Sequence, residues 1–393
     1  MINAVIVDAV RTPGGRRNGK LKDWHAADLA AHVLKALEER TGLDPEIVDD
    51  VIMGCVMQVG EQSLNIGRNA VLSAGWPEEV PATTVDRQCG LSQQALHFAA
   101  QGVISGAYDV AVAAGVEVMT RTPMGASIVK DMGFPFPPSM MERYDSFLPP
   151  QGIGAEMIAE EYGLTRADLD AFGAESQQRA ARATAEGRFE REIVPVPVEI
   201  DGRTEMMTTD EGIREGTTVE TLGNLKPAFK EDGIVTAGNS SQISDGASAV
   251  LVMSEEKAAE LGLRPRARFH SFAVAGTDPV TMLKGPIPVT KKILAKSGLT
   301  IDDIDLFEVN EAFAPVVLAW AREYGGDDPQ ALLARTNVNG GAIALGHPLG
   351  CSGTMLMSTL LNEMERTGGR YGLLTMCEGG GLANASIIER VDS

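Results

Sequence analysis

Two parts of the chain follow the same local plan, and this repetition constrains the fold more than any other feature. The segment 27–56 contains an apolar-faced helix, a Gly-Leu pair, an acidic patch and a β-branched strand, and 288–309 repeats this order. Further along, 83–116 and 337–377 each run from a glycine-containing loop through a helix to an apolar strand. The pattern indicates internal duplication of one α/β unit, with a chance likeness between two such units as the alternative.

Strand-like and helical segments alternate along both flanks, which favours a layered α/β architecture. The middle of the chain, 118–245, changes character. Its Met/Pro/Phe-rich stretch 134–150 is predicted to form no regular element, and helices are expected near 152–162 and 166–187. We expect the stretch to pack as a loop over a site, as such loops do in enzymes, with a membrane-facing loop as the alternative.

The charge of the chain excludes one broad class of partner. There are 54 acidic and 34 basic side chains, a formal net charge of −20, so a duplex nucleic acid would be repelled. A phosphorylated small ligand would need a local cationic patch or backbone dipoles. No apolar run reaches the roughly 18 to 20 residues of a membrane span, and no targeting signal is recognised, so we expect a cytoplasmic protein without membrane contact.

Four cysteines are too few for the disulfide framework of a small secreted protein. They stand at 55, 89, 351 and 377, and none forms a Cys-x-x-Cys pair, so no metal site is predicted. Cys55 and Cys351 are expected to be structural.

Cys89 lies where a strand gives way to a helix, and the amides at a helix N-terminus are expected to lower the pKa of its thiol. A buried structural cysteine is the alternative. Cys377 opens Cys-Glu-Gly-Gly-Gly, in which the amides of Gly379–Gly381 can approach a developing oxyanion. Turn geometry explains the same three glycines equally well.

His347 lies in a glycine-rich loop, 337–350, just before a helix, where an imidazole can activate a thiol or bind an oxyanion. Asn310 directly follows the strand 306–309 and can hold a water or an acyl oxygen, although helix capping is a strong alternative. The Gly/Ser/Asn loop 236–247 can approach a phosphate or a pantetheine arm, or simply cap a helix.

Together these blocks resemble the thiolase family, the acetyl-CoA C-acyltransferases. The resemblance covers essentially the whole chain and rests on Gln88-Cys89-Gly90, Asn310-Glu-Ala-Phe, the loop 340–350 and Cys377-Glu-Gly-Gly-Gly, in the family's order. It implies two similar α/β halves in a five-layered α-β-α-β-α arrangement. The halves would comprise 1–117 with 246–268 and 269–393, and the inserted loop domain 118–245 would cover the CoA site.

The resemblance also implies a role for each residue of the site. Cys89 would be the acyl-accepting nucleophile, His347 its activating partner, and Cys377 the acid and base that moves the α-proton. Asn310, through a water, would bind the thioester oxygen together with His347. The amides of Cys89 and Gly379 would form a second oxyanion hole for the acyl group.

Coenzyme A would be a substrate rather than a tightly bound cofactor, and 3-ketoacyl-CoA thioesters would be its co-substrates. Family members form dimers or tetramers, so a homodimer or homotetramer is expected. Residues at matching contact positions for CoA or substrate are Arg214, Thr221, Ala237, Ser241, Ile243, Met282 and Phe313.

Two departures from the family bear on the substrate. Leu91-Ser92 replaces the small residues that usually follow the nucleophile, which either reshapes the acyl pocket or tightens helix packing. Pro150-Gln151 replaces the His-Met pair of biosynthetic acetoacetyl-CoA thiolases. The amino-acid sequences of the motifs are most similar to those of bacterial thiolases of fatty-acid and steroid catabolism. A biosynthetic acetoacetyl-CoA thiolase and a catalytically silent assembly partner remain alternatives, whereas Cys377 argues against a ketoacyl synthase.

Overall fold

Residues 2–391, which the computed structural model describes, form twelve strands and thirteen helices. The strands are β1 Ala4–Arg11, β2 Gly15–Arg16, β3 Asp50–Gly54, β4 Ala82–Val85, β5 Val110–Val118, β6 Val196–Ile200, β7 Arg203–Met207, β8 Ser244–Ser254, β9 Ala267–Gly276, β10 Leu306–Val309, β11 Tyr371–Glu378 and β12 Leu382–Arg390. The helices are α1 Ala26–Thr41, α2 Ile66–Ser73, α3 Leu91–Ser105, α4 Pro138–Arg143, α5 Gln151–Glu161, α6 Arg166–Ala185, α7 Val219–Gly223, α8 Glu255–Glu260, α9 Pro286–Ser297, α10 Ala314–Tyr324, α11 Pro329–Ala334, α12 Ala342–Leu345 and α13 Ser352–Thr367.

The two halves repeat one sheet topology. In the first half the strand order is β4-β3-β5-β8-β1, and in the second it is β10-β11-β12-β9. The pair β3–β5 is parallel and β5–β8–β1 antiparallel, just as β10–β11 is parallel and β11–β12–β9 antiparallel. An isolated parallel bridge from Phe307 to Thr336 occupies the place that β4 has in the first half. This correspondence confirms the duplication predicted from the sequence.

The halves meet edge to edge and enclose two central helices. β1 and β9 pair through Val5 with Arg268 and Ile6 with Ala267, which joins the half-sheets. The apolar faces of α3 and α13 pack between the half-sheets in one buried cluster. Helices α1 and α2 cover the outer face of the first half-sheet, and α9 and α10 cover that of the second. The layers therefore run α-β-α-β-α.

Corresponding helices also end in the same way. α1, α3, α9 and α13 each stop at a glycine with a left-handed backbone, namely Gly42, Gly106, Gly298 and Gly368, with φ between 66° and 79°. A side chain at these positions would be strained, whereas glycine adopts this conformation freely. The glycine after each helix therefore fixes where the following strand begins.

The segment between β5 and β8 carries α4–α7 and the hairpin β6–β7. The prediction that 134–150 contains no regular element is wrong in one place, since α4 begins at Pro138, and proline is tolerated in the first turn of a helix. Arg11 of β1 is fully buried and holds this segment to the body through ion pairs with Glu192 and Asp210.

The domain boundaries stay a prediction. No helix in the described part of the chain is both long and apolar enough to cross a membrane.

Candidate active site

The thiol of Cys89 is presented by a tight turn between β4 and α3. Gln88–Gly90 form a single 3-10 turn, and Gln88 has a left-handed backbone with φ of 43°. The amide of Gln88 donates to the Asp86 carboxylate at 2.7 Å, which stabilises this conformation. Cys89 is consequently held at the N-terminal end of α3 and is only 6% exposed.

The environment of the Cys89 sulfur contains three hydrogen-bond donors. These are the backbone amides of Cys89 and Gly379 and the side-chain amide of Gln151. Burial nevertheless raises the pKa of the thiol to about 12, with the Glu378 carboxyl acting in the same direction. The expectation that the helix N-terminus lowers the pKa of Cys89 is therefore wrong for the resting protein, because desolvation outweighs the amide dipoles.

The hydrogen bonds of His347 determine which ring nitrogen carries the proton. Ser352 donates its hydroxyl proton to the Pro348 carbonyl at 2.8 Å, and its oxygen lies 2.6 Å from Nδ1 of His347. Nδ1 must therefore be the donor, which leaves the lone pair on Nε2. The side-chain amide of Asn310 lies 3.4 Å from that nitrogen. Burial lowers the pKa of His347 to about 4, so the resting imidazole is neutral.

Asn310 is placed by the strand before it and not by a helix. Its backbone amide donates to the Thr375 carbonyl at 3.0 Å, which extends the pairing of β10 with β11. The capping alternative is wrong, because α10 begins at Ala314 and Phe313 is its N-cap residue. The side-chain oxygen of Asn310 is buried without a partner among the described residues. A buried acceptor of this kind is suited to a water or a substrate atom.

Cys377 lies near Cys89, on the strand β11 of the other half. Its pKa is raised well above the ordinary value by burial first, and then by the charges of Cys89 and Glu378. In the loop that follows, Gly380 and Gly381 have φ of 80° and 78°, so turn geometry explains these two glycines. Gly379 does not share this conformation, and its amide faces the sulfur of Cys89.

A cleft of about 940 Å³ leads from the surface to this group of residues. His347 lines it together with Met119 and Leu349, and the latter two also pack against Cys89. Five of the seven predicted CoA or substrate contacts line the same cleft, namely Arg214, Ala237, Ser241, Ile243 and Phe313. The sequence motifs therefore converge on one site although they are hundreds of residues apart.

The other two predicted contacts lie elsewhere. Met282 lines a second cavity of about 890 Å³, whose walls also include Gln88, Gly379 and the Met/Phe/Pro-rich stretch. Thr221 lines neither cavity; its backbone amide and hydroxyl form a capping box with Thr218 at the start of α7. The two cavities share Pro150 and Gln151.

Leu91, the unusual residue after the nucleophile turn, lines neither cavity. It is fully buried and fills the space beside Gly54, where a Cβ atom built on that glycine would lie 2.1 Å from the leucine side chain. Of the two sequence alternatives, tighter helix packing is therefore the one that the structure supports.

Several residues of the site carry no motif and were missed by sequence reasoning. Arg16 and Arg17 line the cleft beside Arg214. The sequence feature that could have indicated them is the pair of adjacent cations in so acidic a chain. Gln151 and Ser352 gave weaker signals, because amides and hydroxyls are common at helix starts. No cluster of potential metal ligands occurs in residues 2–391.

Comparison with known families accounts for nearly the whole chain. Residues 4–256 match the thiolase N-terminal domain, and residues 263–390 match the thiolase C-terminal domain. Among curated proteins, the steroid 3-ketoacyl-CoA thiolase FadA6 of Mycobacterium tuberculosis is 49% identical, over 100% of this chain and 95% of that protein. A 3-ketoacyl-CoA thiolase of Aliivibrio fischeri is 47% identical, over 99% of this chain and 100% of its own length.

A solved structure gives the same result for the fold. The acetyl-CoA acetyltransferase of Bacillus anthracis superposes with a TM-score of 0.89 and 37% identity, over 100% of this chain and 99% of that one. The fold and the enzyme class expected from the sequence are thereby confirmed. The chain belongs to the thiolase family of acyltransferases.

Proposed function

We propose that this protein is a CoA-dependent thiolase that cleaves 3-ketoacyl-CoA into acetyl-CoA and a shortened acyl-CoA, or catalyses the reverse Claisen condensation. The observation that carries the proposal is the proximity of two buried thiols, Cys89 and Cys377, together with His347, which lies 3.4 Å from the Asn310 side-chain amide and lines the cleft. The names of the similar proteins, 3-ketoacyl-CoA thiolase and steroid 3-ketoacyl-CoA thiolase, support the same activity.

The first half-reaction breaks the carbon–carbon bond. Nε2 of His347, which is unprotonated and faces the Asn310 side-chain amide, takes the proton of the Cys89 thiol, and the sulfur attacks the 3-keto carbon. The amides of Cys89 and Gly379 stabilise the resulting oxyanion. When the bond between C2 and C3 breaks, the electron pair moves to C2 of acetyl-CoA, and Cys377 supplies the proton.

The second half-reaction releases the acyl group. A free CoA thiol gives its proton to the Cys377 thiolate and attacks the acyl carbon on Cys89. Cys89 departs as a thiolate and recovers its proton from His347, which restores the resting state. During cleavage, protonated Nε2 of His347 and a water held by Asn310 would bind the thioester oxygen of the departing acetyl-CoA enolate.

The nucleotide end of CoA would be bound at the mouth of the cleft by Arg214 with Arg16 and Arg17. All three are exposed at the cleft, and among the described residues neither Arg17 nor Arg214 forms an ion pair. Arg16 is paired only weakly, at 3.8 Å, with Glu211. These cations provide the local positive patch that a polyanion needs on a chain of net charge −20.

The acyl group would occupy the second cavity. Gln88 and Gly379 form its wall beside Cys89. The remaining wall is mostly apolar and rich in Met, Phe and Pro side chains, with Asp86, Ser127 and Gln151 as its polar members. Its volume of about 890 Å³ is far larger than a four-carbon acyl group requires and favours long or ring-containing acids. We further expect a homodimer or homotetramer in the cytoplasm, on the strength of the family resemblance.

A thiolysis screen tests the proposal. Purified protein is mixed with CoA and 3-ketoacyl-CoA esters ranging from four carbons to steroid-sized acids, and loss of the 3-ketoacyl thioester is followed. Activity is expected to be highest with the larger acids. Cys89→Ala should abolish cleavage and keep the fold, with Cys55→Ala as the matched control. Full cleavage by Cys89→Ala, or no cleavage of any ester by the wild type, would refute the activity.

A further inference from the structure

Glu378 is a buried carboxyl group that has no hydrogen-bond partner in the part of the chain that the structure describes. It directly follows Cys377 at the end of β11 and has no exposed surface. Neither of its side-chain oxygens has a partner among residues 2–391. A carboxylate in this position would lose its hydration without compensation, so the group calls for a physical explanation.

The Glu378 carboxyl lies against the nucleophile turn. A Cβ atom built on Gly90 would be 2.0 Å from Oε1 of Glu378 and 2.9 Å from Oδ1 of Asn384. The two oxygens therefore share the space that the missing side chain of Gly90 leaves free. The carboxyl group is thus placed directly beside the residue that follows Cys89.

The orientation of the Asn384 amide fixes the chemistry of this contact. Its Nδ2 donates to the Gly90 carbonyl at 2.8 Å, and since a carbonyl can only accept, the amide cannot be reversed. Its oxygen therefore lies on the side of Glu378, and it is also buried, with no partner within residues 2–391. Two acceptors facing each other repel if the carboxyl is ionised. If the carboxyl is protonated, its O–H donates to the Asn384 oxygen, and the repulsion is replaced by a hydrogen bond.

We propose that Glu378 is a positioning residue, held as a neutral carboxylic acid that donates to Asn384 and thereby fixes Gly90 and the turn presenting Cys89. The inference rests on the proposed function in one respect, namely that Cys89 and Cys377 are the reacting thiols. Two hydrogen bonds then hold the Gly90 turn. The Gly90 amide donates to the Arg87 carbonyl, and the Asn384 side-chain amide donates to the Gly90 carbonyl.

The charges around Glu378 agree with a neutral acid. Burial raises its pKa to about 8, while the Arg87 guanidinium lowers it and the Asp86 carboxylate raises it. If Glu378 ionised, its negative charge would raise the pKa of both Cys89 and Cys377. A neutral Glu378 therefore removes one obstacle to forming either thiolate.

One further titratable group, on α3, contacts β12, the strand that carries Asn384. His97 lies 2.8 Å from the Ser386 hydroxyl, and burial lowers its pKa to about 3. It stays neutral throughout the range in which Glu378 titrates, so it adds no competing charge. Above pH 8, ionisation of Glu378 is thus expected to suppress the thiolates.

The test is the pH dependence of Cys89 alkylation by iodoacetamide, followed by mass spectrometry of the Cys89 peptide. Glu378→Gln keeps a donor for Asn384 but cannot ionise. Below pH 7 it should react as fast as the wild type, and above pH 8 the wild-type rate should fall progressively behind it, by several-fold. Glu389→Gln, at the far end of the same sheet, is the matched control and should follow the wild type.

Turnover provides the second readout. Glu378→Gln should retain kcat within about threefold, since the amide rescues the hydrogen bond, whereas Glu378→Ala should lose about tenfold or more through misplacement of the turn. Superimposable alkylation profiles of wild type and Glu378→Gln, or equal loss of kcat in both variants, would overturn the proposal. Alkylation needs no turnover, so this result stays separate from a failure of the proposed thiolase activity.

Discussion

Burial determines the resting protonation of the individual site residues. It raises the pKa of Cys89 to about 12 and lowers that of His347 to about 4, so both the thiol and the imidazole are neutral in the resting protein. Separating charge between them is unfavourable until an oxyanion forms opposite the amides of Cys89 and Gly379. We infer that thiolate formation is coupled to substrate binding, unlike in a site with a preformed thiolate.

Ser352 can be tested as the residue that sets the tautomer of His347. Ser352→Ala removes the acceptor for Nδ1–H, so the proton can move to Nε2 and block the base. We expect kcat/KM for thiolysis to fall by roughly 10–100-fold. Ser358 lies on the same helix, and its hydroxyl donates to the Ala9 carbonyl of β1, so Ser358→Ala is the control. An unchanged rate in Ser352→Ala would show that the tautomer is set in another way.

The sequence predicts which residues form the site better than it predicts their pKa values. Cys89, His347, Asn310 and Cys377 were found from glycine-rich loops and strand ends. Of these, His347 lines the cleft, Asn310 contacts His347, and Cys377 lies near Cys89. The raised pKa of Cys89 was not predictable, because it depends on how completely a distant half of the chain buries the thiol. The role proposed for Glu378 could not be predicted either, because Asn384 comes close to it only through the pairing of β11 with β12.

At the level of elements, local signals predicted the duplicated units well. Apolar periodicity and the terminal glycines placed α1 and α9 within one or two residues. The short helix α4 was missed, since proline-rich sequence rarely forms a helix and only its first turn accepts proline. How α3 meets α13 could not be predicted, because that contact joins residues more than 250 positions apart.

Ser92 links these two central helices and offers a test. Its hydroxyl oxygen accepts from the amides of Gly353 at 2.9 Å and Thr354 at 3.2 Å, so it caps α13 from α3. Ser92→Ala leaves both buried amides without this acceptor, and the free energy of unfolding in urea should fall by about 1–3 kcal/mol. Ser105→Ala, at the exposed end of α3, should change it by less than about 0.5 kcal/mol. Equal stability of the two variants would contradict this role.

For the molecule as a whole, net charge and local charge act in opposite directions. The chain carries −20 charges, yet Arg16, Arg17 and Arg214 gather at the mouth of the cleft. The sequence indicated that such a patch was needed and named Arg214. It could not show the other two arginines there, because they lie at the end of β2, far from Arg214 in the chain.

Substrate truncation tests the cationic patch. Arg214→Ala should raise the KM for CoA by about threefold or more and leave kcat nearly unchanged, since the nucleotide end is remote from the reacting carbon. With pantetheine, which lacks the nucleotide, wild type and variant should be indistinguishable. Lys226→Ala changes the net charge equally but lies outside the cleft, so its KM for CoA should stay at the wild-type value. A similar rise in both variants would assign the effect to net charge.

The most direct test of acyl transfer through Cys89 is the mass of the protein after mixing with a 3-ketoacyl-CoA in the absence of free CoA. We expect release of one equivalent of acetyl-CoA and a mass increase equal to the shortened acyl group. Peptide mapping should place that group on Cys89, and adding CoA should remove it as acyl-CoA. An acyl group on any other residue, or cleavage without a covalent intermediate, would rule out this mechanism.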